Sequence, residues 1–497
     1  MDVLLVLPVV LPMVVGVLVL LARSYRTVQR VLSLTGTVAL VGVASVILAR
    51  VVSDGVQVSQ MGNWPAPFGI TVVYDALSAG LVFMASIAAL AIAIYALKGI
   101  DTAREQYGFH TLFQIQLMGI NGAFVTGDLF NMYVWYEVLL IASFVLLVLG
   151  NERRQLDGAV KYVGINLVAS AAFLVAIGLT YGMTGTLNLA DISGSMENIR
   201  GSGLEAMLAS LFLIGFGLKT AIFPLYFWLP ASYHTPPAAI GAIFAALLTK
   251  VGAYSLIRIF TLFFPDPVGY TQMVLLVLAA ATMVVGVLGA LVEKEVQRLL
   301  AFLVISAMGY VVMGLGFFTT LGLVGAVFYL LQDVPVKATL FLIGGLMERE
   351  TQTRSIDEMG GLYWHRPVLA LAFIVPAFSL AGFPPFPGFW AKLTLVQAGL
   401  ESNQYVMVAV ALIVGVLTLL AVAQLWARAF WSPAKGEDLP SYRATWAERL
   451  AMNGPVAVLA VLLLVIGLYA QPLYALAETA ATTLVTPEIY VNAVLGS

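Results

Sequence analysis

The chain has 497 residues, of which 61% are hydrophobic and 10% charged, with a net charge of −2 and a mean hydropathy of +0.98. Soluble domains carry about 25% charged residues and their cores stop growing at about 250–300 residues, so this composition excludes one large soluble domain and favours a lipid bilayer as solvent. The absence of cysteine excludes disulfides, thiolate metal sites and iron–sulfur clusters, and no basic cluster for nucleic acid is present.

Apolar runs long enough to cross a bilayer follow one another along nearly the whole chain. Such runs predict about fourteen transmembrane helices, here called spans 1 to 14. In chain order the spans are 3–21, 28–49, 72–97, 107–126, 129–149, 160–183, 205–228, 237–261, 271–291, 297–317, 320–346, 367–398, 405–430 and 450–476. We therefore predict an all-α, polytopic transmembrane domain over residues 1–497, with the first run retained as a helix. No connection exceeds about 25 residues, which is too short for a soluble catalytic domain.

Positive charges alternate between the two sets of connections. Seventeen of the 24 Lys and Arg residues lie in the connections after odd-numbered spans or at their edges, three lie in those after even-numbered spans or at their edges (Arg50, Arg200 and Arg258), and four lie deep within spans. Because Lys and Arg are enriched in cytoplasmic loops, the odd connections are predicted to face the cytoplasm and both termini to lie outside a cell membrane.

Five ionisable residues fall in the middle of apolar runs. Glu137 lies in span 5, Lys219 in span 7, Lys250 in span 8, Lys337 in span 11 and Lys392 in span 12. A charge at the bilayer centre costs about 2.5–3.5 kcal/mol on insertion scales, so such residues usually mark ion pathways. The sequence therefore predicts a subunit of an ion-conducting transporter.

Static roles are the alternatives for these residues. Glu137 could be a neutral, hydrogen-bonded acid, or it could be the partner of Lys219 in a fixed ion pair. A buried ion pair adds little stability, so a pair that can switch its charges explains the two residues better. Asp333 stands four residues before Lys337, so an intrahelical ion pair would also account for that lysine. Lys392 could extend its ammonium group to the membrane interface.

Two spans contain prolines that should break them. Pro224 follows Lys219 in span 7, and Pro384, Pro385 and Pro387 precede Lys392 in span 12. Proline removes a backbone donor, and inside a membrane the freed carbonyls need polar partners, so such breaks line cavities. The two breaks lie five spans apart, an odd number, which predicts opposite directions and two inverted five-helix repeats, spans 4–8 and 9–13, with broken helices at spans 7 and 12.

The repeats suggest a division of the single domain. We predict three N-terminal helices, a first repeat, a second repeat and a C-terminal helix, at residues 1–105, 106–262, 270–431 and 445–497. His234 lies in the segment that joins spans 7 and 8. It could relay a proton near neutral pH, or it could be an ordinary surface histidine.

One long stretch carries a family resemblance. The run from Gly122 to Ser193, GAFVTGDLFNMYVWYEVLLIASFVLLVLGNERRQLDGAVKYVGINLVASAAFLVAIGLTYGMTGTLNLADIS, and the opening LPVVLPMVVGVLVLL resemble the antiporter-like subunits shared by respiratory complex I and Mrp-type cation/proton antiporters. The chain is most similar to the D-type subunits of Mrp antiporters, and the resemblance covers spans 1 to 14. It implies partner subunits of the A, B, C, E, F and G types.

The resemblance implies a role for each buried charge. Glu137 and Lys219 would form the pair that gates proton movement, and Lys250 would continue the hydrated path. Lys337 would lie on the path through span 11, Lys392 would end the path, and the family also has a histidine at the position of His234. One departure is Asp333, because many relatives have histidine four residues before the span 11 lysine.

The predicted function is thus that of a proton-translocating subunit in a multi-subunit antiporter, which exchanges H⁺ for Na⁺ or another monovalent cation, and the chain is not expected to be an enzyme. No cofactor and no metal ligands are predicted, and Asp75 and Asp128 are only polar candidates near helix ends. One alternative is a non-catalytic, proton-pumping subunit of complex I or of a membrane-bound hydrogenase. A purely structural scaffold is a second alternative, but apolar residues would form a scaffold at lower cost than buried lysines.

Overall fold

The computed structural model describes residues 2–265, 271–433 and 445–496. Positions 1, 270 and 497, which bound predicted segments, and the predicted cytoplasmic residues Lys435 and Arg443 lie outside this part of the chain. The described helices are α1 Val3–Leu21, α2 Arg26–Asp54, α3 Ala76–Gly99, α4 Thr102–Gln106, α5 Phe109–Val125, α6 Leu129–Val148, α7 Arg153–Thr184, α8 Leu189–Ser195, α9 Gly203–Thr220, α10 Trp228–Ser232, α11 Ala238–Ile243, α12 Thr249–Phe263, α13 Thr271–Val292, α14 Val296–Phe317, α15 Thr320–Thr351, α16 Leu362–His365, α17 Pro367–Ala381, α18 Pro387–Glu401, α19 Tyr405–Trp426, α20 Trp446–Leu468, α21 Gln471–Val485 and α22 Pro487–Leu495.

The all-α, polytopic membrane fold predicted from the sequence is confirmed. Within the described ranges, 12 helices are long and apolar enough to cross a membrane, with α11 and α12 joined into one by the π-helical segment Phe244–Leu248. The other two predicted spans correspond to α5, which has 17 residues, and to the broken pair α17 and α18. The inverted-repeat division and its domain boundaries remain predictions.

The centre of the bundle is formed by three long helices. The most apolar stretches of the α11–α12 helix and of α15 are 100% buried, and that of α14 is 94% buried. Charged side chains on these helices are therefore screened from lipid by the protein itself, so they must find partners among neighbouring helices.

Both predicted helix breaks are present. α9 ends at Thr220, where Ala221 adopts a left-handed conformation with φ of 60°, and the chain becomes helical again at α10. α17 ends at Gly382, with φ of 84°, and α18 begins at Pro387. The turn between α17 and α18 is tight, because a Cβ added at Gly388 would lie 1.8 Å from the carbonyl oxygen of Ser379.

The connections that follow odd-numbered spans meet at one end of the bundle, which we call the basic rim. It comprises the connections α1–α2, α3–α5, α6–α7, α9–α11, α13–α14 and α15–α17, and the described ends of α19–α20. Contacts across it join the ends of distant helices: Arg154 donates to Glu295 at 2.6 Å, and Arg349 donates to the carbonyl of Lys98 at 3.1 Å.

Both chain ends lie at the opposite rim. Asp2 forms an ion pair with Arg50 at 2.9 Å, and Gln60 donates to the carbonyl of Val494 at 3.4 Å. The two ends are therefore on the same side, as an even number of crossings requires. Their location outside the cell remains a prediction.

Several elements of the opposite rim were not predicted. A two-stranded antiparallel sheet, β1 Gln57–Gln60 and β2 Thr71–Tyr74, pairs Gln57 with Tyr74 and Gln60 with Thr71. The C-terminal region contains α20, α21 and α22, so the prediction of one C-terminal helix is wrong. α21 packs against α15 and α3, and α22 packs against α8 and β1, which closes this rim.

Candidate functional site

Three ionisable side chains meet at the centre of the bundle, where the α11–α12 helix packs against α15. Lys250 Nζ lies 2.7 Å from Asp333 Oδ2, and Lys337 Nζ lies 3.6 Å from Asp333 Oδ1. All three side chains are at most 1% exposed, so one carboxylate balances two ammonium groups away from solvent. Both contacts lie within ion-pair distance, although neither meets the angular geometry of a hydrogen bond from a described residue. Asp333 contacts Lys337, as expected, and it also contacts Lys250 of the neighbouring helix.

Both lysines also have backbone partners. Lys250 Nζ donates to the carbonyl of Ala245 at 2.8 Å, and Lys337 Nζ donates to the carbonyl of Leu303 at 3.0 Å. Ala245 lies in the π-helical segment, where the wider turn changes the carbonyl register, and such segments often occur at functional sites. Each ammonium group therefore keeps an acceptor if its contact with Asp333 lengthens.

Lys219 has neutral neighbours. Its Nζ donates to Ser170 Oγ at 3.2 Å and lies 5.3 Å from the centre of the Tyr136 ring. Glu137 does not form the expected direct ion pair: no Lys219–Glu137 contact within 4.0 Å occurs, and Glu137 Oε1 is buried without a hydrogen-bond partner in the described structure. Lys219 is buried and bound by a hydroxyl group on α7, whereas Glu137 as a whole is half-buried, so a static Glu137–Lys219 pair does not explain the burial of the lysine.

Lys392 lies at the break between α17 and α18. Its Nζ donates to the carbonyls of Leu380 and Ala381, at 3.0 and 3.1 Å, and lies 4.5 Å from the centre of the Tyr310 ring. These carbonyls belong to the last turn of α17, where helical donors are missing. The ammonium group is thus held at the break and does not extend to the interface, and a cavity of about 300 Å³ opens beside it.

His234 lies at the basic rim, in the connection between α10 and α11, as expected. Burial lowers its pKa to about 4, and the nearby positive charge of Arg154 acts in the same direction. Its Nδ1 has no hydrogen-bond partner in the part of the chain that the structure describes. The lowered pKa favours the neutral ring near pH 7, which argues against a proton relay by this histidine at that pH, and the ring makes no hydrogen bond to any of the buried lysines described above.

Comparisons with known proteins agree on one family. The model for the transmembrane region of NADH:quinone oxidoreductase and Mrp antiporters matches residues 126–418. The D-type subunit of the Na⁺/H⁺ antiporter of Alkalihalophilus pseudofirmus is 40% identical over 496 residues, which is 100% of both chains.

The chain belongs to the NADH:quinone oxidoreductase/Mrp antiporter family. A chain of the Mrp complex from Dietzia sp. is similar over 100% of both chains, with a TM-score of 0.92 and 31% identity. A chain of the membrane-bound sulfane sulfur reductase, an archaeal respiratory complex, is similar over 99% of both chains, with a TM-score of 0.90 and 25% identity. The resemblance to D-type antiporter subunits is confirmed by the Alkalihalophilus pseudofirmus subunit and by the chain of the Mrp complex.

The matched segment of this family member contains all of the predicted site residues. It also contains a polar link that sequence reasoning missed. Ser379, in the last turn of α17, donates to Gln332 Oε1 at 3.2 Å and accepts from the backbone N–H of Gly388 at 3.1 Å. Gln332 precedes Asp333 in α15, so the link joins the helix of the shared carboxylate to the break that holds Lys392.

A second buried ion pair was also missed. Arg258, which the sequence places in the connection after span 8, lies in α12 and is 3% exposed, and its Nη2 contacts Asp75 Oδ2 at 2.5 Å. Asp75 also caps α3 by accepting from the N–H of Ser78. Tyr490 of α22 stacks on the guanidinium group, with 5.1 Å from its ring centre to Arg258 Cζ. Asp75 is thus occupied by an arginine and is not a cation site, and Asp128 caps α6.

Proposed function

We propose that this chain is the proton-translocating D-type subunit of a multi-subunit Na⁺/H⁺ antiporter in the cell membrane. Its partners would be the other antiporter subunits, and its proton path would use Glu137, Lys219, Lys250, Lys337 and Lys392, with Asp333 as the shared counter-charge and His234 near the entrance. The relatives named as D-type Na⁺/H⁺ antiporter subunits support the antiport function. The arrangement of Lys250, Asp333 and Lys337 is the observation that supports the path.

The shared carboxylate allows charge to move without isolating an ion. When both lysines are protonated, Asp333 lies against two cations. If Lys250 releases its proton, Asp333 can pair fully with Lys337, and the reverse holds for loss of the Lys337 proton. An uncompensated buried charge costs several kcal/mol, so exchange of partners keeps each step accessible.

Lys219 and Lys392 are suited to accept or release protons on either side of this centre. The hydroxyl of Ser170 can accept from an ammonium group and can donate to a neutral amine, so it stabilises both states of Lys219. Lys392 faces two backbone carbonyls that can accept from its ammonium group, and it lies beside a largely apolar cavity. The Ser379–Gln332 link fixes the distance between the break and the shared carboxylate.

The proposal is tested with the whole operon expressed in an antiporter-deficient host. Inverted vesicles with a preformed proton gradient should show dequenching of a pH dye when Na⁺ is added. Lys219→Ala should lower this exchange at least about ten-fold, the equivalent of about 1.4 kcal/mol, with the complex still assembled. Lys161→Ala, which removes an exposed lysine from α7, is the control and should exchange normally. Full exchange by an assembled Lys219→Ala complex would overturn the proposed path.

The second candidate is a pump subunit of a membrane oxidoreductase. The similarity to the archaeal sulfane sulfur reductase favours it, because the same fold occurs there in a respiratory complex. The two candidates differ in their energy source. If vesicles show no Na⁺-dependent exchange but acidify with NADH or hydrogen as reductant, the redox-pump function replaces antiport.

A further inference from the structure

A groove of about 500 Å³ lies at the basic rim, between the start of α17 and the first turns of α20. We call it the α17–α20 groove. Two arginines, Arg366 and Arg449, line it, together with Trp446 and an aliphatic wall that includes Val368 and Leu450. It lies away from the buried lysines and shares no lining residue with the cavity beside Lys392.

The charged residues that line the groove, Glu350, Arg366 and Arg449, carry a net positive charge. Arg449 is exposed, and its side chain makes no ion pair or hydrogen bond with another described residue. Arg366 forms an ion pair with Glu350 at 2.9 Å, which neutralises one positive charge and leaves that of Arg449. A guanidinium group presents five N–H donors in a plane, which suits an oxyanion with several acceptor oxygens.

The rest of the groove lining is largely apolar and exposed. Val368 is 68% exposed, Leu450 is 56% exposed and Trp446 is 78% exposed. Tryptophan is enriched where transmembrane helices enter the headgroup region of a bilayer. The groove thus combines, within one cavity at the rim of the bundle, an exposed arginine and an exposed aliphatic surface.

We propose that the α17–α20 groove binds an anionic phospholipid, with the phosphate on Arg449 and an acyl chain along Val368 and Leu450. Charge complementarity favours this occupant over an apolar helix of a partner subunit, because such a helix would leave the guanidinium group of Arg449 without a counter-charge. Free phosphate would leave the aliphatic wall exposed. Basic pockets between transmembrane helices on the cytoplasmic side are suited to anionic headgroups.

The test uses the complete antiporter complex, purified in detergent and titrated with lipid in native mass spectrometry. Phosphatidylglycerol should bind the wild type more tightly than phosphatidylcholine with the same acyl chains. Arg449→Gln should weaken phosphatidylglycerol binding about five-fold, the effect of one arginine near an anionic lipid. Arg153→Gln removes another exposed arginine of the same rim and should not change the binding.

A second measurement identifies the source of the phosphate and the covering of the groove. Phosphatidylglycerol with a photoreactive acyl chain should crosslink, in the assembled complex, to peptides that contain Val368 or Leu450, and inorganic phosphate should not displace it. Displacement by inorganic phosphate would overturn the lipid assignment in favour of a free anion. Failure to crosslink, or equal weakening by Arg153→Gln, would also overturn it, because the groove would then be covered by a subunit or would act only through general surface charge.

Discussion

The α12 helix carries two buried cations about two turns apart, and they have different partners. Among the described carboxylates, Arg258 pairs with Asp75 only, at 2.5 Å. Lys250 meets Asp333, at 2.7 Å, but the same carboxylate also contacts Lys337. The first arrangement has one acid for one base, and the second has one acid for two bases. Only the second can change partners without leaving a buried ion alone.

The chemistry of the cations strengthens the difference. Arginine stays protonated under all physiological conditions, whereas lysine can release its proton when buried. The Asp75–Arg258 pair also joins α3, α12 and α22, because Asp75 caps α3 and Tyr490 stacks on the guanidinium group. We infer that the Asp75–Arg258 pair holds the opposite rim together, while the two lysines that share Asp333 exchange protons.

The largest effect is expected from breaking the arginine pair. Asp75→Asn keeps an N-cap for α3 but leaves Arg258 as a buried charge without a counter-ion, which should cost about 3–5 kcal/mol. The assembled complex should become scarce and should unfold at a lower temperature in size-exclusion and thermal-melt measurements. Asp75→Leu combined with Arg258→Met should recover assembly, because an apolar pair of similar volume is tolerated. An Asp75→Asn complex with the wild-type melting temperature would contradict the structural role.

Removing the shared carboxylate should affect transport more than assembly. Asp333→Asn leaves Lys250 and Lys337 with their backbone acceptors, so each lysine can remain buried as a neutral amine. Partner exchange is then impossible, and Na⁺-dependent dequenching should fall at least about ten-fold, or about 1.4 kcal/mol. Asp157→Asn removes an exposed carboxylate from α7 and is the control. Wild-type exchange rates in Asp333→Asn would show that the three-residue cluster is structural.

Two conservative substitutions, Lys337→Arg and Arg258→Lys, test whether proton release distinguishes the Asp333 cluster from the Asp75–Arg258 pair. Lys337→Arg keeps the positive charge beside Asp333 but cannot release a proton, so antiport should fall about five-fold, or about 1 kcal/mol, with normal assembly. The Lys250–Asp333 contact remains, which is why this effect should be smaller than that of Asp333→Asn. Arg258→Lys should leave the antiport rate unchanged. Equal rates for Lys337→Arg and the wild type would refute proton release at Lys337.

The sequence predicted those features that depend on local pattern. Long apolar runs located the spans to within a few residues at most ends, and the insertion cost of charge singled out Lys219, Lys250, Lys337 and Lys392. Spacing alone predicted the contact of Asp333 with Lys337, because residues four apart share a helix face. The prolines predicted both breaks, since proline cannot continue the hydrogen-bond pattern of a helix.

The sequence could not predict contacts between distant helices. Lys250 and Asp333 are on separate helices, and their pairing depends on how the α11–α12 helix packs against α15. Arg258 lies near the end of α12, where a charge is expected at an interface, so nothing local indicated that Asp75 would be its partner. α21 has threonines and a glutamate and falls below the apolar pattern of a span, and its place in the bundle follows from packing against α15.

The basic rim offers a third arrangement, in which one carboxylate is shared by two arginines. Glu105, in α4, contacts Arg26 at 2.8 Å and Arg30 at 2.7 Å, and His110 lies 3.3 Å away. Burial alone would raise the pKa of Glu105, but hydrogen bonds from His110, Arg30 and Arg26 outweigh it and lower the pKa from 4.5 to about 2. The two arginines that share this carboxylate do not readily lose their protons, so at acidic pH the stability should change through Glu105 itself.

The sign of the pH effect follows from the lowered pKa. Ionised Glu105 should contribute its full stabilisation above about pH 4.5 and lose it as the pH falls toward about 2. Glu105→Gln should lower the stability of the complex at pH 7 by about 1 kcal/mol, a modest value because Arg26 and Arg30 are 38% and 31% exposed. Thermal melts from pH 7 to pH 3 should show the difference between wild type and Glu105→Gln shrinking below about pH 4.5. If the difference in melting temperature between wild type and Glu105→Gln stayed constant over this range, the arginines would not be what keeps Glu105 ionised. The contrast between arginine and lysine partners would then not explain the stability of the basic rim.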